Sequence, residues 1–196
     1  MEQYNLLLTG VGGQGILLAG DILSRSAIMQ GLDVKKAETH GMAQRGGSVV
    51  THLRIGNKVR SALVPVGGAD ILISFEVLEA LRYSHYVRPG GSIFYSSRRV
   101  DPLPVLRGLE EYPSSETING IWEGFKDVLE IDAPDLARKA GHPLTQNVVM
   151  IGAASTRLPL PADSLRKSIE VSVKRAKDAN LKAFDLGREA AISLRR

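Results

Sequence analysis

Apolar and polar positions along this chain alternate between two periods, and the switches between them mark its elements. Residues Tyr4 to Thr9 form a short apolar run of strand length, followed by the glycine-rich turn Gly10 to Gly15. From Gly13 to Gln30 the period becomes helical. Ile16, Ala19, Leu23 and Ala27 share one face, Leu17 and Ile28 widen it, and Asp21 and Arg25 sit one turn apart on the polar side. Gly31 is placed to end that helix, and Val34 to Glu38 reads as a second strand, so the first forty residues form a β-turn-α-β unit. Val49 to Ile55 alternates as a half-buried strand does. Gly56-Asn57 then supplies a turn signal, and Lys58 to Val64 is expected to return as the other arm of a β-hairpin.

Further along, Ile71 to Phe75, Ser92 to Ser96 and Val128 to Ile131 read as strands. Glu76 to Tyr86, Pro134 to Ala140 and the apolar Gln146 to Ser155 read as helices, with a turn at Pro89-Gly90-Gly91 and a loop carrying Pro102, Pro104 and Pro113. Pro159 and Pro161 set off a C-terminal pair of helices, the last with a stripe of Leu181, Phe184, Ala191 and Leu194. The expected fold is a three-layer, Rossmann-like α/β domain over residues 1–158. Its sheet is mixed because it includes a hairpin, and residues 159–196 add a helical extension packed on the same domain.

Composition narrows the chemistry more than the fold. The chain has 196 residues, 43% of them hydrophobic, which suits one soluble domain with a real core. Its net charge of +4 is scattered. The densest basic run (Lys174, Arg175, Lys177) has Asp178 beside it on an expected helix, so it reads as a solvated face and not as a nucleic-acid patch. No apolar stretch approaches the ~20 residues of a membrane span, and Leu6-Leu7-Leu8 is not preceded by a basic leader, so the expected location is the cytoplasm. Cysteine is absent. The chain therefore offers no thiolate to an iron–sulfur cluster or a cysteine-type zinc site.

The turn Gly10-x-Gly12-x-x-Gly15, with Gly13 and Gln14 inside it, lies between a strand and a helix. Glycine there permits a tight turn, close approach of backbone to an anion, and close packing of helix on strand, while the helix N-terminus favours negative charge. Glu38 stands where a ribose-binding carboxylate belongs, so this part alone fits NAD or FAD as well as it fits a turn that only has to be tight. A phosphate-binding P-loop is excluded, because the Gly-Lys-Ser/Thr ending is missing. The four histidines, His40, His52, His85 and His142, show no metal-ligand spacing, and no G-x-S-x-G elbow marks a nucleophile. No residue of the chain stands out as catalytic.

After Glu38 the chain does not continue as a dehydrogenase would. It runs into a polar, glycine-broken loop, His40-Gly41-Met42-Ala43-Gln44-Arg45-Gly46-Gly47, and then the expected hairpin. The glycine turn, this loop and Leu144 to Ala153 ("LTQNVVMIGA"), in that order, resemble the gamma subunit or domain of the 2-oxoacid:ferredoxin oxidoreductases, of the indolepyruvate type, over nearly the whole chain. Enzymes of that family oxidise a 2-oxoacid with thiamine diphosphate, pass electrons through iron–sulfur clusters to ferredoxin and form an acyl-CoA. The resemblance implies an accessory subunit, inactive alone, with thiamine diphosphate, Mg and the clusters on a large partner in a hetero-oligomer, and CoA as a co-substrate of the complex. This chain lacks a Gly-Asp-Gly thiamine motif, since Gly20-Asp21 continues to Ile22 within a helical pattern. The residues expected to face a ligand or the partner's active site are the glycine turn, Thr39, His40, Gln44, Arg45, Gly46 and Gly47. Arg45 comes first among them, because its guanidinium fork suits a carboxylate or phosphate. The alternative, resting on the Gly10–Gly15 turn alone, is a stand-alone NAD- or FAD-binding oxidoreductase.

Overall fold

The computed structural model describes residues 2–40, 47–109 and 111–195. Six strands, β1 (Tyr4–Val11), β2 (Asp33–His40), β3 (Ser48–Gly56), β4 (Ala69–Ser74), β5 (Val87–Ser96) and β6 (Asp127–Ile131), form one sheet in the order β2-β3-β1-β4-β5-β6. β3 runs antiparallel to both its neighbours, while β1, β4, β5 and β6 are mutually parallel. The sheet is mixed, as expected, with helices on both faces. Successive residues of a strand point to opposite faces, so the apolar runs divide between two cores. Leu6, Leu8, Ile71 and Ile73 face α1 (Ile16–Met29). Leu7, Leu72, Ile93 and Tyr95 pack with Val77, Ala80 and Trp122, which belong to α2 (Val77–Tyr83) and α4 (Ser115–Trp122). A single turn, α3 (Leu103–Leu106), precedes α4.

The hairpin is not where local sequence places it. Lys58 to Val64 forms no strand, because both edges of β3 are already taken by β2 and β1. The apolar alternation there has another cause. Val59 and Val64 are each 3% exposed, and the segment is held as irregular chain. The Val59 amide donates to Asp33 (2.8 Å), the Val64 amide to His52 Nδ1 (3.2 Å), and Arg54 donates to the carbonyls of Ser61 and Leu63. The antiparallel pair is instead β2 with β3, joined through residues 41–47. Consequently β2 does not lie beside β1 as in a β-α-β dinucleotide unit; β3 is inserted between them. The Pro89-Gly90-Gly91 turn is also absorbed into β5, as an irregularity where its register with β4 shifts.

Helix α1 ends in a Schellman cap, with the Gly31 amide donating to Ile28 O (2.9 Å) and the Leu32 amide to Ala27 O (3.2 Å). Beyond it stand α5 (Ala133–Ala140), α6 (Gln146–Ala154), α7 (Ala162–Ser172) and α8 (Lys177–Ser193). α7 lies on α1, where Ser168 Oγ donates to Ile22 O (2.7 Å) and the Ser26 and Ser164 hydroxyls meet at 2.9 Å. α6 is buried along nearly its whole length. It meets α8 at backbone contact, where Gly152 faces the Phe184 carbonyl and Gly187 faces the Val149 carbonyl.

Candidate functional site: a cleft at the carboxyl edge of the sheet

From β1 the chain turns to α1 on one side, and β4, β1's other neighbour, leads on to β5 in the opposite direction. Between β1 and β4 is therefore the point where strand order reverses, and ligands of open α/β sheets bind outside the carboxyl ends of strands there. A cleft of ≈ 270 Å³ occupies that position. One wall is the glycine turn, Gly12 to Gln14. A second is made by residues at or just beyond the ends of β4 and β5, namely Phe75, Ser96, Arg98 and Val100. The third comes from the start of α6 and the turn before it, Pro143, Leu144, Gln146 and Met150. Of the described residues lining the cleft, only Arg98 is charged. Its Nη1 donates to Gln146 Oε1 (3.1 Å), and its side chain is otherwise exposed.

Close approach explains two of the glycines. A Cβ on Gly10 would lie 2.6 Å from Gln14 Oε1, and one on Gly15 would lie 2.6 Å from Asn147 Nδ2. Gly15 also takes φ 77° as the N-cap of α1, a helix start that has no side-chain cap. Gln14 lines the cleft, yet its amide is committed to the protein. Oε1 accepts from the Val11 amide (2.7 Å) and Nε2 donates to Phe75 O (3.0 Å), which braces the turn against the end of β4. Asn147 Nδ2 donates to Gly15 O (3.3 Å), so the Leu144–Ala153 segment is joined to the glycine turn directly.

The structure brings some of the expected site residues together and separates others. Gly12 and Gly13 line the cleft, and the Gly12 amide donates to Gly47 O (2.9 Å), which seats the exit of the polar loop on the glycine turn. Thr39 and His40 lie at the end of β2, in register with Val50 and Val49 of β3. That places them two strand spacings, about 10 Å, from β1. Gln44, Arg45 and Gly46 lie outside the described residues. Glu38 is also two strands from the turn, and its Oε1 accepts from Lys36 Nζ (2.7 Å). The insertion of β3 thus removes the carboxylate that a dinucleotide's ribose requires beside the turn.

Arg98 and Gln146 were not singled out in the sequence. Arg98 lies two residues beyond the carboxyl end of β5, and Gln146 belongs to the "LTQNVV" segment, so a signal existed for each. Among the described residues no group of three or more His, Asp or Glu side chains is placed to hold a metal ion. His52 is buried, and burial holds its pKa below 6.5 while Nδ1 accepts from Val64. His142 Nδ1 accepts from the Leu144 amide (3.3 Å). Asp21 lies within α1 and pairs with Lys36, so Gly20-Asp21 cannot serve as a metal-diphosphate site. With no cysteine in the chain, no thiolate-held iron–sulfur cluster fits the residues present. No described helix is long and apolar enough to cross a membrane.

Comparison with known proteins gives the family and the fold. The family model described as pyruvate ferredoxin/flavodoxin oxidoreductase matches residues 5–190. Indolepyruvate oxidoreductase subunit IorB of Pyrococcus horikoshii is 46% identical over 196 residues, covering 97% of both chains. The IorB subunit of Archaeoglobus fulgidus is 40% identical over 195 residues, covering 97% of this chain and 96% of its own. Among solved structures, the gamma subunit of keto/oxoacid ferredoxin oxidoreductase from Geobacter sulfurreducens shares the fold, with a TM-score of 0.72 at 22% identity and coverage of 97% and 99%. The 2-oxoglutarate:ferredoxin oxidoreductase of Magnetococcus marinus shares it too, with a TM-score of 0.73 at 18% identity; the match covers 98% of this chain and 32% of that one. A glycine-turn α/β chain that the family model matches over residues 5–190, and that is 46% identical to an IorB subunit over 97% of both chains, belongs to the pyruvate ferredoxin/flavodoxin oxidoreductase family.

Proposed function

We propose that this chain is the accessory subunit of a cytoplasmic 2-oxoacid:ferredoxin oxidoreductase that decarboxylates indolepyruvate or related aryl pyruvates to the acyl-CoA. It acts only with a larger subunit carrying thiamine diphosphate, Mg and the iron–sulfur clusters, and ferredoxin takes the electrons from that complex. The observation that carries this reading is the full-length likeness to IorB subunits in a chain without cysteine. Thiamine supplies the carbanion chemistry when bound in the partner. The contribution of this chain is binding and shaping. Its cleft takes the phosphate-bearing part of CoA, with Arg98 as the charged contact and the uncapped start of α1 adding favourable potential. The structurally related Magnetococcus enzyme was solved with coenzyme A bound, which supports CoA as the ligand to test. The guanidinium fork of Arg45, with Gln44 and Gly46 beside it in sequence, has the chemistry to meet an anion at the partner's active site.

The test is reconstitution. Indolepyruvate- and CoA-dependent reduction of ferredoxin should require both chains. Arg98→Ala should raise the KM for CoA about tenfold, the loss expected when a charged hydrogen-bond partner is removed. Full turnover by the large subunit alone would sink the proposal. Micromolar binding of NAD or FAD by this chain in a calorimeter would favour the stand-alone nucleotide reading instead.

A further inference from the structure

Two carboxylates are buried near the cleft, and neither lines it. Glu76 is 1% exposed and Glu79 is 4% exposed. Glu76 follows Phe75, the residue whose carbonyl Gln14 holds, and is the N-cap of α2. Its Oε2 accepts from the Glu79 amide (2.9 Å), the ordinary capping bond. Its Oε1 accepts from two more donors, the Val100 amide (3.1 Å) and the Tyr112 hydroxyl (2.8 Å). One residue further on, the Val77 amide donates to Arg98 O (3.2 Å). The Arg98–Val100 segment is therefore pinned at two points to the start of α2. Glu79 extends the network to the opposite wall. It accepts from Ser48 Oγ (2.5 Å), and Ser48 follows Gly47, the acceptor of the Gly12 amide. Arg82 Nη1 balances Glu79 at 2.8 Å.

Capping alone does not account for this arrangement. Aspartate or serine would satisfy the first turn of α2, whereas burying a glutamate carries a desolvation cost that a cap does not require. The additional length of glutamate is used to reach Val100, and three donors converge on a group that only accepts. The geometry points to Glu76 as a positioning residue for the cleft: it holds the Arg98–Val100 segment at the distance from the glycine turn at which Arg98 meets a bound anion. This inference rests on the reading of the cleft as an anion site.

The test uses Glu76→Gln, Glu76→Asp and Arg98→Ala in the full chain assembled with its large subunit, with coenzyme A as the probe. Glutamine replaces an acceptor oxygen with a donor, which opposes one of the three donors. Aspartate keeps the cap but is too short to reach Val100. Both Glu76 variants should raise the KM for CoA about tenfold with kcat retained, and Glu76→Asp should melt close to the wild type. A Glu76→Asp variant with wild-type KM would overturn the inference, since a cap would then suffice. A fall in kcat at unchanged KM would overturn it too. If Glu76→Gln fails to fold, Glu76→Asp decides alone. Should Arg98→Ala bind coenzyme A as the wild type does, the reading of the cleft fails and takes this inference with it. Should Arg98→Ala lose affinity while both Glu76 variants keep theirs, only the positioning role is lost.

Discussion

Replacing Gly152 by alanine should destabilise the protein, although alanine is the better helix former. In a helix interior the exchange by itself is worth about 1 kcal/mol in favour of alanine. Here a Cβ on Gly152 would sit 2.0 Å from the Phe184 carbonyl oxygen and 2.8 Å from its carbonyl carbon, both backbone atoms of α8. No side-chain rotamer relieves that clash. The helices must move apart by more than 1 Å, and the reciprocal contact of Gly187 with Val149 O opens with them. Overpacking of this kind costs about 1–3 kcal/mol and more when backbone must shift, so a net loss of about 3 kcal/mol is expected. For a domain of this size each kcal/mol moves the melting temperature by about 2–4 °C, which gives a fall of about 6–12 °C by calorimetry or circular dichroism. Gly152→Ala with Gly187→Ala should cost less than the two losses added, because one displacement relieves both clashes. An unchanged or raised melting temperature for Gly152→Ala would refute the reasoning, since propensity would then have won.

Two further outcomes test other parts of the fold. Ala176 is the only described non-glycine residue with positive φ (50°), as the N-cap of α8. Ala176→Gly should raise stability by about 0.5–1 kcal/mol in urea unfolding, and a loss would show that the left-handed backbone is not strained. Asp127 is partly buried, which pushes its pKa up most strongly. Hydrogen bonds from Ser92 and Arg157, together with the charge of Arg195, outweigh this and hold it below 3.8. A depressed carboxylate contributes stability that is present above its unfolded pKa and lost as pH falls through the folded one. Asp127→Asn should therefore cost about 1–2 kcal/mol at pH 7. That deficit should shrink as pH drops below 3.8, and a pH-independent deficit would contradict the assignment.

Much of the fold was legible because much of it is locally encoded. β1 and β4 each carry an apolar run bounded by turn residues, and α1 carries both its stripe and its glycine stop, so period and punctuation suffice. The misplaced hairpin shows the limit. Alternation says which residues of a segment are buried; it does not say whether a strand edge is free to receive them. Val59 and Val64 are buried while their amides bond Asp33 and His52, a solution that period-two reading cannot distinguish from a strand. Glu38 is the same lesson at the site. Its place at the end of β2 is that of a ribose ligand, and only the insertion of β3 moves it away from the glycine turn.

By itself, then, the sequence determined an α/β chain with a glycine turn at the head of a helix. It also excluded cluster chemistry, because no cysteine exists to supply thiolates. Those properties depend on residue identity and on neighbours a few positions away. The tertiary structure decided which strand β3 joined, where the cleft opened and which side chains met there. Arg98 and Gln146 are 48 residues apart, and Gln14 and Phe75 are 61 apart. Contacts at such separations form only when the packing of sheet and helices offsets the entropy of closing the intervening chain. No local pattern records which of the possible closures that packing selects.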